Sequence, residues 1–185
     1  MRIISGKFRA KNLFAPEGKT TRPTSDRARE AIFNVLESRR IGKNVSWADI
    51  TVADAFAGTG ALGLEAMSRG ASSLTAFEKD AAAKRCFYKN AQAFIDAGAS
   101  VRLFDDALTP PATQKAVRLL FMDPPYAKGF VAPALQALKK QGWIDGETLC
   151  VIETEKSEKD VLPDGFEAQD RRFYGKAAVL FVKAK

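Results

Sequence analysis

The chain contains no histidine among its 185 residues. Ser-His-Asp triads, histidine general bases and histidine-ligated zinc are excluded together, so any chemistry falls to carboxylates, lysine, tyrosine, a thiol or a bound cofactor. Cysteine is almost as scarce. Cys86 and Cys150 stand far apart, one in a predicted helix and one in a predicted strand, with no metal-ligand spacing. Both are expected in the core of a protein kept in a reducing setting, the cytoplasm. Long apolar runs are missing as well: no charge-free stretch approaches a membrane span, and the N-terminus MRIISGKFRAK offers only Ile3-Ile4 where a signal peptide needs an apolar segment. There is no internal repeat, low-complexity tract or long linker. With 46% hydrophobic and 28% charged residues, the chain has the composition of one globular domain with a sizeable core.

What the composition holds in excess is positive charge, and its placement is uneven. Residues 1–43 carry eleven Lys/Arg against four acids, which leaves 18 of each sign in the remainder. The whole net charge of +7 therefore belongs to the N-terminal quarter. A solvated face would not concentrate the excess in one segment, whereas a polyanionic partner, most simply nucleic acid, accounts for it.

Within that quarter, Arg2 to Phe14 alternates loosely around Gly6, which predicts a small β-hairpin carrying Lys7, Arg9 and Lys11. Thr24 or Ser25 can cap a helix running to about Arg39, with Asp26 in its first turn and Ala28, Ile32, Val35 and Leu36 on one face. From Thr51 the pattern changes to short apolar strands alternating with helices: TVADAF, Ala61 to Arg69, SLTAFE, Asp80 to Ala97, SVRLF, AVRLLFMD, Val131 to Lys140, TLCVIE. Such alternation predicts an α/β fold with a mostly parallel sheet covered by helices on both faces. At the end, GFEAQDRRFYG and KAAVLFVKAK are separated only by a turn at Gly175-Lys176 and should pair antiparallel. The expected organisation is a basic extension, residues 1–43, followed by an α/β domain, residues 44–185.

The stretch DAFAGTGALG contains Gly58-x-Gly60-x-x-Gly63 between a predicted strand and helix. Glycines there permit a tight turn and a ligand against the backbone, and Glu78, about 20 residues on, is placed for a ribose hydroxyl. NAD, FAD and S-adenosylmethionine sites all use this arrangement. Asp54 at the strand end would repel a pyrophosphate but could accept from an ammonium group, and no cluster of residues offers a hydride-transfer site. Asp106 in RLFDDAL could meet an adenine amine at the same sheet edge, or could equally be a turn acid that caps the next segment.

One further strand ends oddly. In FMDPPYAKGF an acid, two prolines and a tyrosine close an apolar run. Prolines end strands and Asp makes turns, but that does not explain why all four meet at the carboxyl end of a strand, where α/β sheets bind ligands. A base amine is a poor nucleophile because its lone pair is delocalised. The Asp123 carboxylate and the Pro124 carbonyl, aimed at its two N–H bonds, would stabilise the positive charge that grows as a methyl group arrives. Pro125 stiffens that carbonyl, and Tyr126 can stack on a base taken out of its helix.

The order Asp54 to Gly60, Glu78, Asp106, then Asp123-Pro124-Pro125-Tyr126 resembles the amino-group branch of class I S-adenosylmethionine-dependent methyltransferases. More closely, MRIISGKFR, TRPTSDRAREAIFNVLESR, DAFAGTGALGLEAMSRGA, FMDPPY and FYGKAAVLFV together resemble the RsmD family of bacterial 16S rRNA guanine-N2 methyltransferases, over essentially the whole chain. The resemblance implies a Rossmann-like, seven-stranded sheet with the last strand antiparallel. It places Asp54, Phe56, Ala57, Gly58 and Gly60 around the methionine part of S-adenosylmethionine, Glu78 and Lys79 at the ribose, and Asp106 and Ala107 near the adenine. Arg22, Pro23 and Thr24 would form a lid, Thr24 touching the cofactor; Arg2, Lys7, Arg9, Lys11, Arg22 and Arg27 would meet RNA. It implies a cytoplasmic monomer acting without a metal on 16S rRNA in the small subunit or a late precursor of it. The rival expectations are an adenine-N6 or protein-glutamine methyltransferase, a non-catalytic RNA-binding assembly factor, and a nicotinamide oxidoreductase.

Overall fold

The computed structural model describes residues 1–16, 26–38, 45–126, 128–158 and 161–185. Seven strands form one sheet: β1 Thr51–Asp54, β2 Ser73–Phe77, β3 Ser100–Phe104, β4 Leu119–Met122, β5 Leu149–Glu155, β6 Phe166–Tyr174 and β7 Ala177–Ala184. Their order is β3-β2-β1-β4-β5-β7-β6. All pairs from β3 to β5 are parallel, while β7 runs antiparallel between β5 and β6. The expected tail hairpin is therefore present, turning at Gly175-Lys176.

Among the described residues four α-helices cover the sheet: α1 Asp26–Leu36, α2 Ala61–Ser68, α3 Ala81–Asp96 and α4 Val131–Lys140. The strands read as apolar runs because both faces are covered. In β4, Leu119 and Phe121 pack with Phe33 of α1, Leu64 of α2 and Phe94 of α3, while Leu120 and Met122 pack with Leu135 and Leu138 of α4 on the other face. Cys150 lies in that second core, but Cys86 is only half-buried. The outer strand β6 alternates toward solvent and carries Glu167, Asp170, Arg171 and Arg172, charges that discourage edge pairing.

The N-terminal segment reverses on itself as expected, but as a compact turn rather than two extended strands. A single antiparallel bridge joins Arg2 and Asn12, with Ile3 N–H donating to the Lys11 carbonyl and Leu13 N–H to that of Met1. The reason is visible in its contacts: Ile3 and Leu13 are drawn into the core beside α1 and α3. Gly6, at φ +82°, lies so close to α2 that a Cβ would fall 1.9 Å from the Ser68 carbonyl oxygen. Helix α1 buries Ala28, Ile32, Val35 and Leu36 on one face. The boundary expected at 43/44 and the cap at Thr24 or Ser25 lie outside the described residues.

Candidate functional site

The strand order reverses direction between β1 and β4, and a ligand crevice forms at such a switch point, beyond the carboxyl ends of the strands. Pairing continues past both strand ends: Ala55 N–H donates to the Phe121 carbonyl at 2.9 Å, and Ala57 N–H to that of Phe77 at 3.0 Å. These bonds hold the glycine loop on one side and Asp123 to Tyr126 on the other. Between them lies a cleft of about 920 Å³.

Asp54 ends β1 and is buried, and its Oδ2 accepts from Gly63 N–H at 3.0 Å. Burial pushes its carboxyl up to about 7, the Gly63 hydrogen bond pulls the other way, and the charge of Glu78 adds to the upward shift. Gly63 lets α2 approach β2 closely, and any larger residue there would have to displace the Leu74 side chain. A Cβ there would sit 2.6 Å from Cδ1 of Leu74 and 3.2 Å from Asp54 Oδ2. Gly60 adopts φ +83° before α2, and its Cβ would meet the Phe87 ring at 2.8 Å.

Glu78 follows β2 and closes the loop from the opposite side. Its Oε2 accepts from Gly58 N–H at 2.9 Å and its Oε1 from Asp80 N–H at 2.7 Å. Asp106 Oδ1 accepts from Leu108 N–H at 2.9 Å, so the turn-acid role foreseen for it is real, while its Oδ2 stands 3.8 Å from Lys79 Nζ. Both Asp106 and Ala107 line the cleft, so the turn role and a ligand role are compatible. Asp105 also lines the cleft, but it is largely exposed and pairs with Lys84.

Asp54, Phe56, Ala57, Gly58, Glu78, Lys79, Asp106, Ala107 and Asp123 to Tyr126 thus line one cleft, although they span more than seventy positions of sequence. Gly60 supports the loop without lining the cleft, and Thr24, Arg22 and Pro23 fall outside the described residues. Of the cations expected to meet RNA, Arg2, Lys7, Arg9 and Arg27 are exposed and Lys11 is half-buried. None of them lines the cleft, but Met1 and Pro16 of the same segment do. Arg29, part of the basic excess by sequence, is fully buried and donates to the Arg2 carbonyl at 2.6 Å and Asp26 at 2.9 Å. It cannot serve a polyanion.

Two residues escaped the sequence reading. Phe130 faces Phe56 with ring centroids 6.2 Å apart and planes 16° from parallel, under the Lys79 ammonium at 5.4 Å. Glu153, a buried acid on β5, accepts the Tyr126 hydroxyl at 2.7 Å. The available signals were an aromatic closing FMDPPYAKGF and a carboxylate inside the apolar run LCVIE.

The lining tests what the cleft can hold. Six acidic residues (Asp54, Glu78, Asp80, Asp105, Asp106 and Asp123) line it alongside Lys79, with Asp80 capping α3 and Asp105 paired to Lys84. That charge disfavours a pyrophosphate and suits a ligand with an amino group, a sulfonium, ribose hydroxyls and an adenine amine. The residues present therefore fit S-adenosylmethionine and argue against a nicotinamide dinucleotide.

A family model described as conserved hypothetical protein 95 matches residues 1–183. Ribosomal RNA small subunit methyltransferase D of Escherichia coli (strain K12) is 36% identical over 157 residues, covering 84% of this chain and 75% of that protein. The protein of the same name from Haemophilus influenzae is 29% identical over 170 residues, covering 90% and 84%. The solved structure of yhhF from Escherichia coli superposes with a TM-score of 0.80 at 30% identity, over 100% of this chain and 98% of that one.

Proposed function

This chain belongs to the family described as conserved hypothetical protein 95, the RsmD family, and from that membership we infer that it methylates the exocyclic N2 amine of a guanine in 16S rRNA. It is a small-subunit rRNA methyltransferase with S-adenosylmethionine as the donor, in keeping with the relatives named above. One observation supports an amine as the acceptor: Asp123-Pro124-Pro125-Tyr126 lies across the cleft from the glycine loop.

S-adenosylmethionine supplies an electrophilic methyl group on a sulfonium. Asp54 would hold the amino group of its methionine part, Glu78 its ribose hydroxyls, and Asp106 with Ala107 its adenine. The Asp123 carboxylate and Pro124 carbonyl accept from the guanine amine, orient its lone pair and stabilise the charge that develops on nitrogen; the sulfur–methyl bond would break as the nitrogen–methyl bond forms, with S-adenosylhomocysteine as the leaving group and one amine proton released to solvent. Tyr126 packs on the extruded base. Holding amine and methyl in line, with reacting atoms roughly 3–3.5 Å apart, supplies much of the acceleration. The reaction so drawn uses no metal. Residues 1–43 act as the RNA-binding extension, with Arg2, Lys7, Arg9, Lys11, Arg22 and Arg27 as its cations and Thr24 in a lid. The enzyme works as a cytoplasmic monomer on the small subunit or its late precursor. Among the described residues no helix is long and apolar enough to cross a membrane.

The test is to incubate the protein with labelled S-adenosylmethionine and naked 16S rRNA, small subunits lacking the modification, or DNA. Digestion should yield label in N2-methylguanosine from rRNA alone. Label in N6-methyladenosine, DNA or protein would overturn the assignment.

A further inference from the structure

The described residues expose four large hydrophobic side chains: Tyr88 and Ile95, seven residues apart on one side of α3, Phe14, held against the same helix by Lys89 and Asn90, and Phe173 on β6. The N-terminal segment is laid along α3, touching it at Phe94, Lys89 and Asn90. Phe8 packs on Phe94 with centroids 4.0 Å apart and planes tilted by 33°, and further toward the cleft Phe14 lies beneath the Lys89 ammonium at 3.8 Å. Phe14 nevertheless keeps 48% of its surface exposed.

Its position is fixed from below. Asn90, fully buried, accepts from Phe14 N–H at 2.7 Å and donates through Nδ2 to the carbonyls of Phe14 at 3.0 Å and Thr59 at 2.9 Å. Thr59 belongs to the glycine loop and lines the cleft, as do Pro16, two residues beyond Phe14, and Ala83 in the first turn of α3. One side chain thereby ties an exposed aromatic to the loop proposed to carry the methyl donor. Around it the exposed charges are chiefly positive: Arg85 and Lys89 on α3, Lys7 and Arg9 on the N-terminal turn, against Asp96 at the far end of the helix.

We propose that Phe14, Tyr88, Lys89 and Arg85 form a docking ledge for unpaired nucleotides that flank the target base. This rests on the reading of the protein as an rRNA methyltransferase and names a surface for that substrate. Aromatic faces interleaved with cations bind single-stranded RNA by stacking and by phosphate neutralisation. The ledge begins at the cleft wall, so a strand whose target base enters the cleft continues over Phe14. The Asn90 clamp sets the distance between the two, which makes the ledge a ruler as well as a contact.

The experiment measures binding and turnover separately, using the whole chain, 16S rRNA and small subunits. Phe14→Ala and Lys89→Gln should each raise the RNA Kd and KM by roughly tenfold, with S-adenosylmethionine affinity and kcat within about twofold of wild type. Phe14→Trp should restore binding, and ultraviolet cross-linking of the wild-type complex should join Phe14 or Tyr88 to RNA. Unchanged Kd and KM in Phe14→Ala, Tyr88→Ala and Lys89→Gln would overturn the ledge, as would cross-links to a ribosomal protein in place of RNA. A wild-type chain that binds RNA through Phe14 yet transfers no methyl group would uphold the ledge and refute the enzymatic reading. Normal turnover with no dependence on Phe14 would do the reverse.

Discussion

Burial deprives the Asp54 carboxylate of water and lifts its pKa to about 7, despite the hydrogen bond from Gly63 that favours the charged form. An acid whose folded pKa lies above its unfolded one stabilises the fold below the unfolded value, and that contribution is lost as pH rises through the folded one. Cofactor-free protein should therefore lose stability between the ordinary carboxylate range and about pH 7, and Asp54→Asn should flatten that slope in denaturant unfolding at stepped pH. The ligand works in the opposite sense. A cation beside Asp54 favours its ionised form, so S-adenosylmethionine affinity should rise between about pH 6 and 8, with proton release detectable by calorimetry in two buffers. At Asp123 the expected outcome is a kcat loss of roughly 100-fold or more for Asp123→Ala, with cofactor affinity within several-fold of wild type; undiminished turnover would remove Asp123 from the chemistry. Tyr126→Phe isolates the hydroxyl that Glu153 accepts. It keeps the ring and should cost about 1 kcal/mol of stability and only a few-fold in kcat, whereas Tyr126→Ala should cost far more turnover.

Elements differ in how plainly their sequences announce them. Val131–Lys140 and Ser100–Phe104 appear with the limits their patterns imply, because each is bounded by its own turn residues. AVRLLFMD yields only Leu119–Met122 as strand, since the knob turns the chain away at Asp123 and Val117 N–H bonds to the Trp143 carbonyl instead of a neighbouring strand. The glycine loop was legible as a motif, yet the need for Gly63 comes from Leu74, a fully buried residue of the next strand. Gly63→Ala should therefore destabilise the protein by about 1–3 kcal/mol and weaken cofactor binding through Asp54, as melting and titration would record. For the N-terminal turn, neutralising Lys7, Arg9 and Lys11 should weaken RNA binding and reduce the magnitude of its salt slope by up to about three; an unchanged slope would assign these charges to solubility alone.

At the scale of the whole molecule, the basic segment is built into the fold. Glu65, fully buried on α2, accepts from Ile4 N–H at 2.7 Å and Ser5 N–H at 3.0 Å while pairing with Arg69. Ser68 Oγ donates to the Ser5 carbonyl at 2.6 Å and accepts from Phe8 N–H at 2.9 Å, and Asn90 holds Phe14. Glu65→Ala should cost about 2–4 kcal/mol, because it strands buried donors, and hydrogen exchange should accelerate selectively at Ile4 and Ser5. The sequence by itself determined the α/β class, the antiparallel tail, the glycine loop and the acid-proline-proline-tyrosine knob, because periodicity, turn chemistry and motif order are properties of neighbouring residues. Only the tertiary structure decided that Arg29 is buried away from any polyanion, that Glu153 stands behind Tyr126, that Phe130 joins the cleft, and that Asn90 binds the basic segment to the glycine loop. Those outcomes depend on which strands and helices meet in space, and residues brought together from 27 to 76 positions apart leave no periodic signature in the chain that encodes them.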